Sequence, residues 1–134
     1  MVKILIVDDE EINRIMLREI LSESGYRDFI EAGNGREAVE VARQHRPDIV
    51  LLDVIMPGMS GIEAAPQIKA SSPDCYLPIL FITSLDDEQS LVKCLESGGD
   101  DFISKPFEKI ILHAKVKAHE RTRRLSLEIQ DKNQ

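Results

Sequence analysis

Short runs of aliphatic residues recur along the chain, separated by stretches whose apolar residues have helical spacing. The aliphatic runs predict five strands, near residues 3–7, 27–31, 48–52, 78–82 and 101–104. Continuous runs of β-branched or aliphatic residues are typical of strands that helices cover on both faces. The pattern therefore predicts a parallel sheet with a layer of helices on each side.

Helical patterns follow every predicted strand. They lie near residues 11–24, 35–45 and 60–70, from Asp86 to Gly98-Gly99, and from Phe107 onward. The third contains Pro66, which lacks a backbone donor and crowds the preceding turn, so we expect a kink or a delayed start there. The alternation of strand and helix predicts a doubly wound α/β fold, a three-layer sandwich whose five parallel strands lie in the order 2-1-3-4-5.

The last helix has no glycine or proline to end it before Gln134. We expect it to pack on the sheet through Phe107, Ile110, Ile111, Ala114 and Ala118. Further along, Ala118, Thr122, Leu125 and Ile129 have the spacing of a coiled-coil seam. We therefore expect a globular domain over residues 1–118 and a helical extension or linker over residues 119–134. So short a seam would support only a weak homodimer, and the alternative is a frayed, solvated tail.

Acidic, hydroxyl and amine side chains follow the ends of four predicted strands. They are Asp8, Asp9, Asp53, Thr83, Ser84 and Lys105. Open α/β sheets bind their ligands at the carboxyl ends of the strands, so these side chains should meet at one edge. Each alone has a plainer interpretation, since acids cap helices, hydroxyls begin turns and a single lysine is usually solvated. Their joint occurrence at one edge favours a magnesium-assisted phosphoryl site.

The chemistry explains why such a site needs these residue types. Clustered carboxylates repel one another, and a bound Mg²⁺, which takes oxygen ligands, removes that conflict. An ionised Asp53 can then attack phosphorus as a nucleophile and form an aspartyl phosphate. Lys105 offers a mobile positive charge to one phosphoryl oxygen, and the Thr83 hydroxyl can donate to another.

Composition narrows the class of protein. A chain of 134 residues with 43% apolar content is long enough for one domain with a substantial core. A net charge of −7 argues against sequence-independent binding of nucleic acid. Cys75 and Cys94 lack metal-ligand spacing, which indicates inert thiols in a reducing compartment. The chain begins directly with a strand and has no apolar run of membrane-spanning length, so we expect a cytoplasmic protein without a membrane partner.

These motifs resemble the receiver domain of two-component response regulators, the family of the chemotaxis regulator. The resemblance covers about residues 2–118, and the matching segments are IVDDE at 6–10, LLDVIMPG at 51–58, Thr83-Ser84, and GGDDFISKPF at 98–107. It implies that Asp53 accepts the phosphoryl group and that Mg²⁺ is held by Asp9, Asp53 and the backbone carbonyl of Ile55, with Asp8 acting through water. It also implies that Thr83, Ser84 and Lys105 bind the phosphoryl group, and that Thr83 and Phe102 form a switch pair.

The resemblance also implies partners. The phosphoryl group would come from a sensor histidine kinase, a phosphotransfer protein or a small phosphodonor. No histidine of this chain is a convincing donor, since His45 ends the second predicted helix and His113 and His119 lie on the last one with no acid constellation around them. The signal would pass to an output domain or effector protein. The chain departs from the family pattern at Pro66 and at Gly99, where the family usually has alanine.

Two other classes use a similar sheet. A haloacid dehalogenase-type phosphohydrolase would need a second acid two residues after its nucleophile, where this chain has Ile55. A flavodoxin-like carrier would need a phosphate loop rich in serine, threonine and glycine after the first strand. The acids at 8–11 would repel a phosphate there.

Overall fold

The structure, a computed structural model, describes residues 2–72, 76–84 and 88–132, except for the side chains at 88–90 and 130–132. The strands are β1 (Lys3–Val7), β2 (Asp28–Ala32), β3 (Ile49–Asp53), β4 (Ile79–Thr83) and β5 (Asp101–Ser104). The helices are α1 (Glu11–Glu23), α2 (Gly35–His45), α3 (Gly61–Lys69), α4 (Glu88–Glu96) and α5 (Lys109–Lys132). Cys75 and the predicted acidic start of α4 at Asp86-Asp87 lie outside the described residues.

All five strands are parallel and lie in the order β2-β1-β3-β4-β5, as predicted. Their carboxyl ends therefore share one edge of the sheet. Strands β2, β3 and β4 each begin one residue later than predicted. Asp53 and Thr83 are consequently the last residues of β3 and β4 and still belong to the sheet.

The sheet separates two apolar layers. Successive side chains of a strand point to opposite faces, so Leu5 and Val7 pack with α2 and α3, whereas Ile4 and Ile6 pack with α1 and α5. All four of these residues are fully buried. Helices on both faces complete the doubly wound fold that the continuous aliphatic runs predicted, and no described helix is long and apolar enough to cross a bilayer.

Helix α3 begins without delay in spite of Pro66. The Ser60 side chain accepts a hydrogen bond from the backbone N–H of Glu63 at 3.2 Å and caps the helix at its predicted start. The helix then continues through Pro66 to Lys69. Of the two outcomes expected for this proline, the delayed start is therefore wrong.

The predicted packing face of α5 is wrong. Ile110 is 84% exposed and Ile111 is 43% exposed, and Ala114 is exposed as well. The side chains that enter the core are Leu112 and Val116. The reason is that α5 begins at Lys109. Phe107 packs against the core from the segment before the helix, so a helical period counted from Phe107 selects the wrong face.

The C-terminal extension is helical, as predicted, and its first turns contact the domain. Glu120 accepts a hydrogen bond from the hydroxyl of Tyr26. Arg123 donates to the carboxylate of Asp48 at 3.1 Å and to the carbonyl of Tyr76 at 2.6 Å. Beyond these contacts, the apolar side chains that predicted a seam face outward, since Leu125 is 51% and Ile129 is 61% exposed.

Gly99 is required by its surroundings. A Cβ atom at this position would overlap the ring of Phe81 and lie 2.9 Å from the carbonyl oxygen of Cys94. Phe81, on β4, is fully buried, so its ring has little room to withdraw. The glycine that stands where the family usually has alanine is therefore explained by the large Phe81 side chain on the neighbouring strand.

We expect Gly99→Ala to lower the free energy of unfolding by about 1–3 kcal/mol, because the added methyl group overpacks the core. Urea denaturation measures this directly. Gly33→Ala is the matched control, since a Cβ there has only ordinary contacts of 3.8 and 3.9 Å. In the double variant Phe81→Leu with Gly99→Ala, the alanine should be less destabilising than in the wild type. Equal effects of the alanine in both backgrounds would contradict this explanation.

Candidate functional site

Three carboxylates meet at the carboxyl edge of the sheet. Asp8 and Asp9 follow β1, and Asp53 ends the adjacent strand β3. One oxygen from each residue lies within 4.8 Å of the others. Asp8 is 1% exposed and Asp53 is 5% exposed, whereas Asp9 faces solvent. The sequence predicted this convergence, and the parallel pairing of β1 with β3 produces it.

Local backbone turns orient the two buried acids. The Oδ1 atom of Asp8 accepts a hydrogen bond from the backbone N–H of Glu10 at 2.9 Å. The Oδ1 atom of Asp53 accepts one from the N–H of Ile55 at 3.2 Å. Such turns are characteristic of aspartate at the end of a strand. They leave the Oδ2 atom of each carboxylate to face the site.

Lys105 places its ammonium group between the two buried acids. Its Nζ atom lies 3.3 Å from Oδ2 of Asp53 and 3.5 Å from Oδ2 of Asp8. The lysine follows β5, and the peptide bond from it to Pro106 is cis. Burial acts to lower the pKa of Lys105, but the charges of Asp53 and Asp8 outweigh it and raise that pKa. Lys105 is therefore a fixed positive charge at neutral pH.

The surroundings of Asp53 disfavour the ionised form of its side chain. The pKa of its carboxyl group is raised from 3.8 to about 6, chiefly by burial and secondly by the negative charge of Asp8. Lys105 and the N–H of Ile55 oppose this shift. The Oδ2 atom of Asp8 is buried and accepts no hydrogen bond from any described residue. One lysine thus leaves two buried acids incompletely neutralised.

The arrangement suits a hard divalent cation. Carboxylate oxygens are the ligands that Mg²⁺ prefers, and the cation would offset the negative charge that Lys105 leaves. The Oδ2 atom of Asp8 lies 3.5 Å from the Lys105 ammonium but accepts no hydrogen bond from the described residues, so it could accept one from a water molecule on such an ion. The cluster of Asp8, Asp9 and Asp53 therefore offers a donor set that fits a magnesium ion and could hold one.

A cavity of about 260 Å³ opens beside the acids. It is lined by Asp9, Glu10, Asp53, Ile55, Thr83, Ser84 and Lys105. Apart from Glu10, every one of these was predicted from the sequence as a site residue. Thr83 is buried at the end of β4 and Ser84 is exposed next to it. The lysine and hydroxyl side chains of this lining could hold a small anion against the carboxylate of Asp53.

Phe102 does not line this cavity, although the sequence grouped it with Thr83 as a switch pair. It is partly buried on β5, beside β4. The Nζ atom of Lys115 lies 5.1 Å from the centre of the Phe102 ring and donates a hydrogen bond to the Phe102 carbonyl oxygen at 2.6 Å. Asp101 also binds Lys115, at 3.0 Å. The ring therefore lies beneath a cation that is itself held in place.

Two residues near the site were not identified from the sequence. Arg14 of α1 donates a hydrogen bond to the carbonyl of Asp8 at 2.6 Å. Gly61 begins α3 against the backbone of Asp53, where a Cβ atom would overlap the Asp53 carbonyl oxygen. The glycine after the capping residue Ser60 is a weak signal of such a close approach. An arginine on a helix gives none, because most are solvated.

A model of the response regulator receiver domain family matches residues 4–117 of the chain. The chain belongs to this family. Receiver domains are phosphoacceptors in two-component signalling, and this domain has that role. The family assignment replaces the two alternatives that share a similar sheet, the dehalogenase-type hydrolase and the flavodoxin-like carrier.

Relatives of two kinds match this receiver domain. It is 41% identical over 107 residues to the chemotaxis protein CheY of Halobacterium salinarum, which covers 80% of this chain and 87% of that protein. It is 42% identical over 113 residues to a cyclic di-GMP phosphodiesterase of Thermotoga maritima, which covers 84% of this chain but 29% of the relative. The chain spans half or less of several such curated relatives.

Among solved structures, NtrX from Brucella abortus superposes with a TM-score of 0.86 at 29% identity. The match covers 98% of this chain and 29% of NtrX. Nearly the whole chain, with most of the extended α5, therefore has a counterpart within a longer protein.

We expect Asp53→Asn to raise the free energy of unfolding at neutral pH, in metal-free solution, by about 1–3 kcal/mol. Because the folded protein binds the Asp53 proton more tightly than the unfolded chain does, wild-type stability falls as pH rises from about 4 to about 6. Above about pH 6 the wild type has lost all of this stability, whereas the asparagine variant loses none because its side chain does not ionise. Lys105 keeps Asp8 as a partner in the variant.

Urea unfolding of both proteins at neutral pH and at about pH 4 checks this sign, since the two should converge in acid. An asparagine variant that is no more stable than the wild type at neutral pH would contradict the raised pKa.

Proposed function

We propose that Asp53 is the residue of this receiver domain that takes up the phosphoryl group. The observation that carries the proposal is the position of its Oδ2 atom, which faces the 260 Å³ cavity 3.3 Å from the ammonium of Lys105. Asp9 is exposed and Asp8 is almost fully buried, so Asp53 is the acid that combines access to the cavity with a positive charge beside it.

The transfer forms one bond and breaks one. An oxygen lone pair of ionised Asp53 attacks phosphorus, and the new O–P bond replaces the N–P bond of a phosphohistidine, whose imidazole leaves with the electron pair. Lys105 and the hydroxyls of Thr83 and Ser84 bind the phosphoryl oxygens. These donors stabilise the charge that spreads over those oxygens in the transition state.

Mg²⁺ is the proposed cofactor. Asp9, Asp53 and the backbone carbonyl of Ile55 would hold it directly, and Asp8 would hold it through water. When bound, the ion supplies positive charge that offsets the carboxylates and the phosphoryl oxygens during transfer.

Thr83 and Phe102 form the proposed switch. A phosphoryl oxygen on Asp53 would draw the Thr83 hydroxyl inward and vacate space for the Phe102 ring. Phenylalanine lacks the hydroxyl of tyrosine, so its outward position gains no hydrogen bond, and we expect the ring to favour the inward position more than a tyrosine would. The contact with Lys115 is the interaction that the ring would give up.

The proposed partners are a sensor histidine kinase or phosphotransfer protein and, downstream, an output domain or effector. Support for an output domain comes from the relatives, because a cyclic di-GMP phosphodiesterase and NtrX are each much longer than this chain. We propose that residues 1–118 form the receiver domain. The extension over residues 119–134 would be a helical linker that transmits the signal and supports weak dimerisation through its seam.

Incubation with Mg²⁺ and a small phosphodonor should add one phosphoryl group to the wild type, and none to Asp53→Asn. Intact-mass spectrometry measures the addition. Asp28→Asn is the matched control, because Asp28 begins β2 at the opposite edge of the sheet and should be labelled like the wild type. Equal labelling of Asp53→Asn and the wild type would exclude Asp53 as the acceptor.

The linker proposal predicts weak dimerisation that increases with a phosphoryl mimic. Replacing both Leu125 and Ile129 by glutamine removes exposed apolar side chains and should leave the protein monomeric. Glu128→Gln, on the same turns of α5, should behave like the wild type. Sedimentation equilibrium with and without the mimic measures this, and a wild type that stays monomeric in both conditions would rule out the seam.

A further inference from the structure

Arg14 contacts the loop that carries Asp8 and Asp9. Its Nη1 atom donates to the carbonyl oxygen of Asp8 at 2.6 Å, and its Nε atom binds Oε1 of Glu31 at 3.1 Å. The arginine side chain is 19% exposed. Glu31 belongs to β2, so the guanidinium joins helix α1, the loop and the sheet at one point.

The position of this hydrogen bond matters because Asp8 lies beyond the end of β1. Its backbone N–H still reaches the carbonyl of Ala32 in β2, at 3.2 Å. Its carbonyl is past the last pairing of β1 with β3, which joins Val7 to Leu52. Arg14 therefore holds the carbonyl of a residue whose N–H the sheet already holds.

A peptide unit is planar, so the carbonyl of Asp8 and the N–H of Asp9 turn together. Fixing the carbonyl oxygen fixes the plane from which the Cα atom of Asp9 projects. Within the part of the chain that the structure describes, the exposed carboxylate of Asp9 accepts no hydrogen bond that would orient it, but its backbone does not rotate freely while Arg14 is bound.

The charge and the shape of arginine both suit this task. A guanidinium presents its donors in a rigid plane, so Nε and Nη1 can bind Glu31 and the Asp8 carbonyl at the same time. Glu31 is shared, because its Oε2 atom also binds Arg18 at 2.8 Å. Within the described residues, the Arg18 side chain donates a hydrogen bond to Glu31 and none to the Asp8 loop.

We propose that Arg14 is a positioning residue for the divalent cation, which it serves by holding the Asp8–Asp9 peptide in the orientation that aims Asp9 at the ion. The inference rests on the proposed Mg²⁺ site. Arg14 touches neither the ion nor the phosphoryl group, and its effect passes through the backbone of Asp8.

Positioning and simple electrostatics predict opposite results. On charge alone, removing a cation near three acids should tighten the binding of Mg²⁺. On positioning, the loss of Arg14 should weaken that binding, as the loss of residues that orient metal ligands usually does. The sign of the change therefore distinguishes them.

The test is a titration of the full metal-free chain with MgCl₂ at constant ionic strength, followed by NMR through the amide signals of Asp9 and Ile55. We expect Arg14→Met to raise the dissociation constant about 10-fold. Arg18→Met is the control, because it removes the same type of ion pair to Glu31 and should leave the constant unchanged. Arg14→Lys keeps the charge but not the planar pair of donors, and should give a smaller rise.

An Arg14→Met protein that binds Mg²⁺ as tightly as the wild type, or more tightly, overturns the inference. If that variant does not fold, Arg14→Lys decides, and an unchanged dissociation constant in it is the contrary result. A wild type whose Asp9 and Ile55 signals do not respond to Mg²⁺ would overturn the proposed metal site together with this inference. If the wild type, Arg18→Met and Arg14→Met all bind Mg²⁺ with the same dissociation constant, the role of Arg14 is overturned and the proposed metal site stands.

Discussion

Repulsion between two buried carboxylates, Asp8 and Asp53, is the constraint on which the rest of this structure depends. Parallel pairing of β1 with β3 brings their strand ends together, and burial on both faces of the sheet removes the water that would otherwise screen them. Lys105 lies between them and offsets part of the charge, yet the pKa of Asp53 remains raised to about 6. A site in this condition favours an added cation, and it gains a further favourable interaction when an anion joins Lys105. On the proposed function, the same features that lower stability here would favour reaction with a phosphoryl group.

The backbone around the two buried acids leaves their side chains little freedom to move. Each buried acid keeps one oxygen bonded to a backbone N–H two residues further on, so the other oxygen has one direction left, toward the site. Around the acids, small or rigid elements permit close approach: Gly61 contacts the Asp53 backbone, and Ser60 caps α3 beside it. On the other side, Arg14 fixes the carbonyl of Asp8. The site is therefore held by the first turns of α1 and α3 as well as by the strands that carry its acids.

Much of this could be predicted from the sequence, because the signals were local. Aliphatic runs predicted the strands to within a residue. The polar residues at their ends identified five of the seven residues that line the cavity, the family resemblance added Ile55, and Glu10 was missed. Features that depend on distant packing were missed. The face of α5 was wrong because Phe107 packs from outside the helix, and a period counted from it does not apply. Gly99 could not be explained until Phe81 was seen beside it, and Arg14 could not be distinguished from a solvated arginine.

A crystal structure of the chain with Mg²⁺ and a trifluoroberyllate phosphoryl mimic tests the proposed site most directly. We expect the mimic bonded to an Asp53 oxygen, with Lys105 and Thr83 on its fluorine atoms. We also expect a magnesium ion between Asp9, Asp53 and the carbonyl of Ile55. A mimic bound elsewhere, or a magnesium ion away from the three acids, would contradict it.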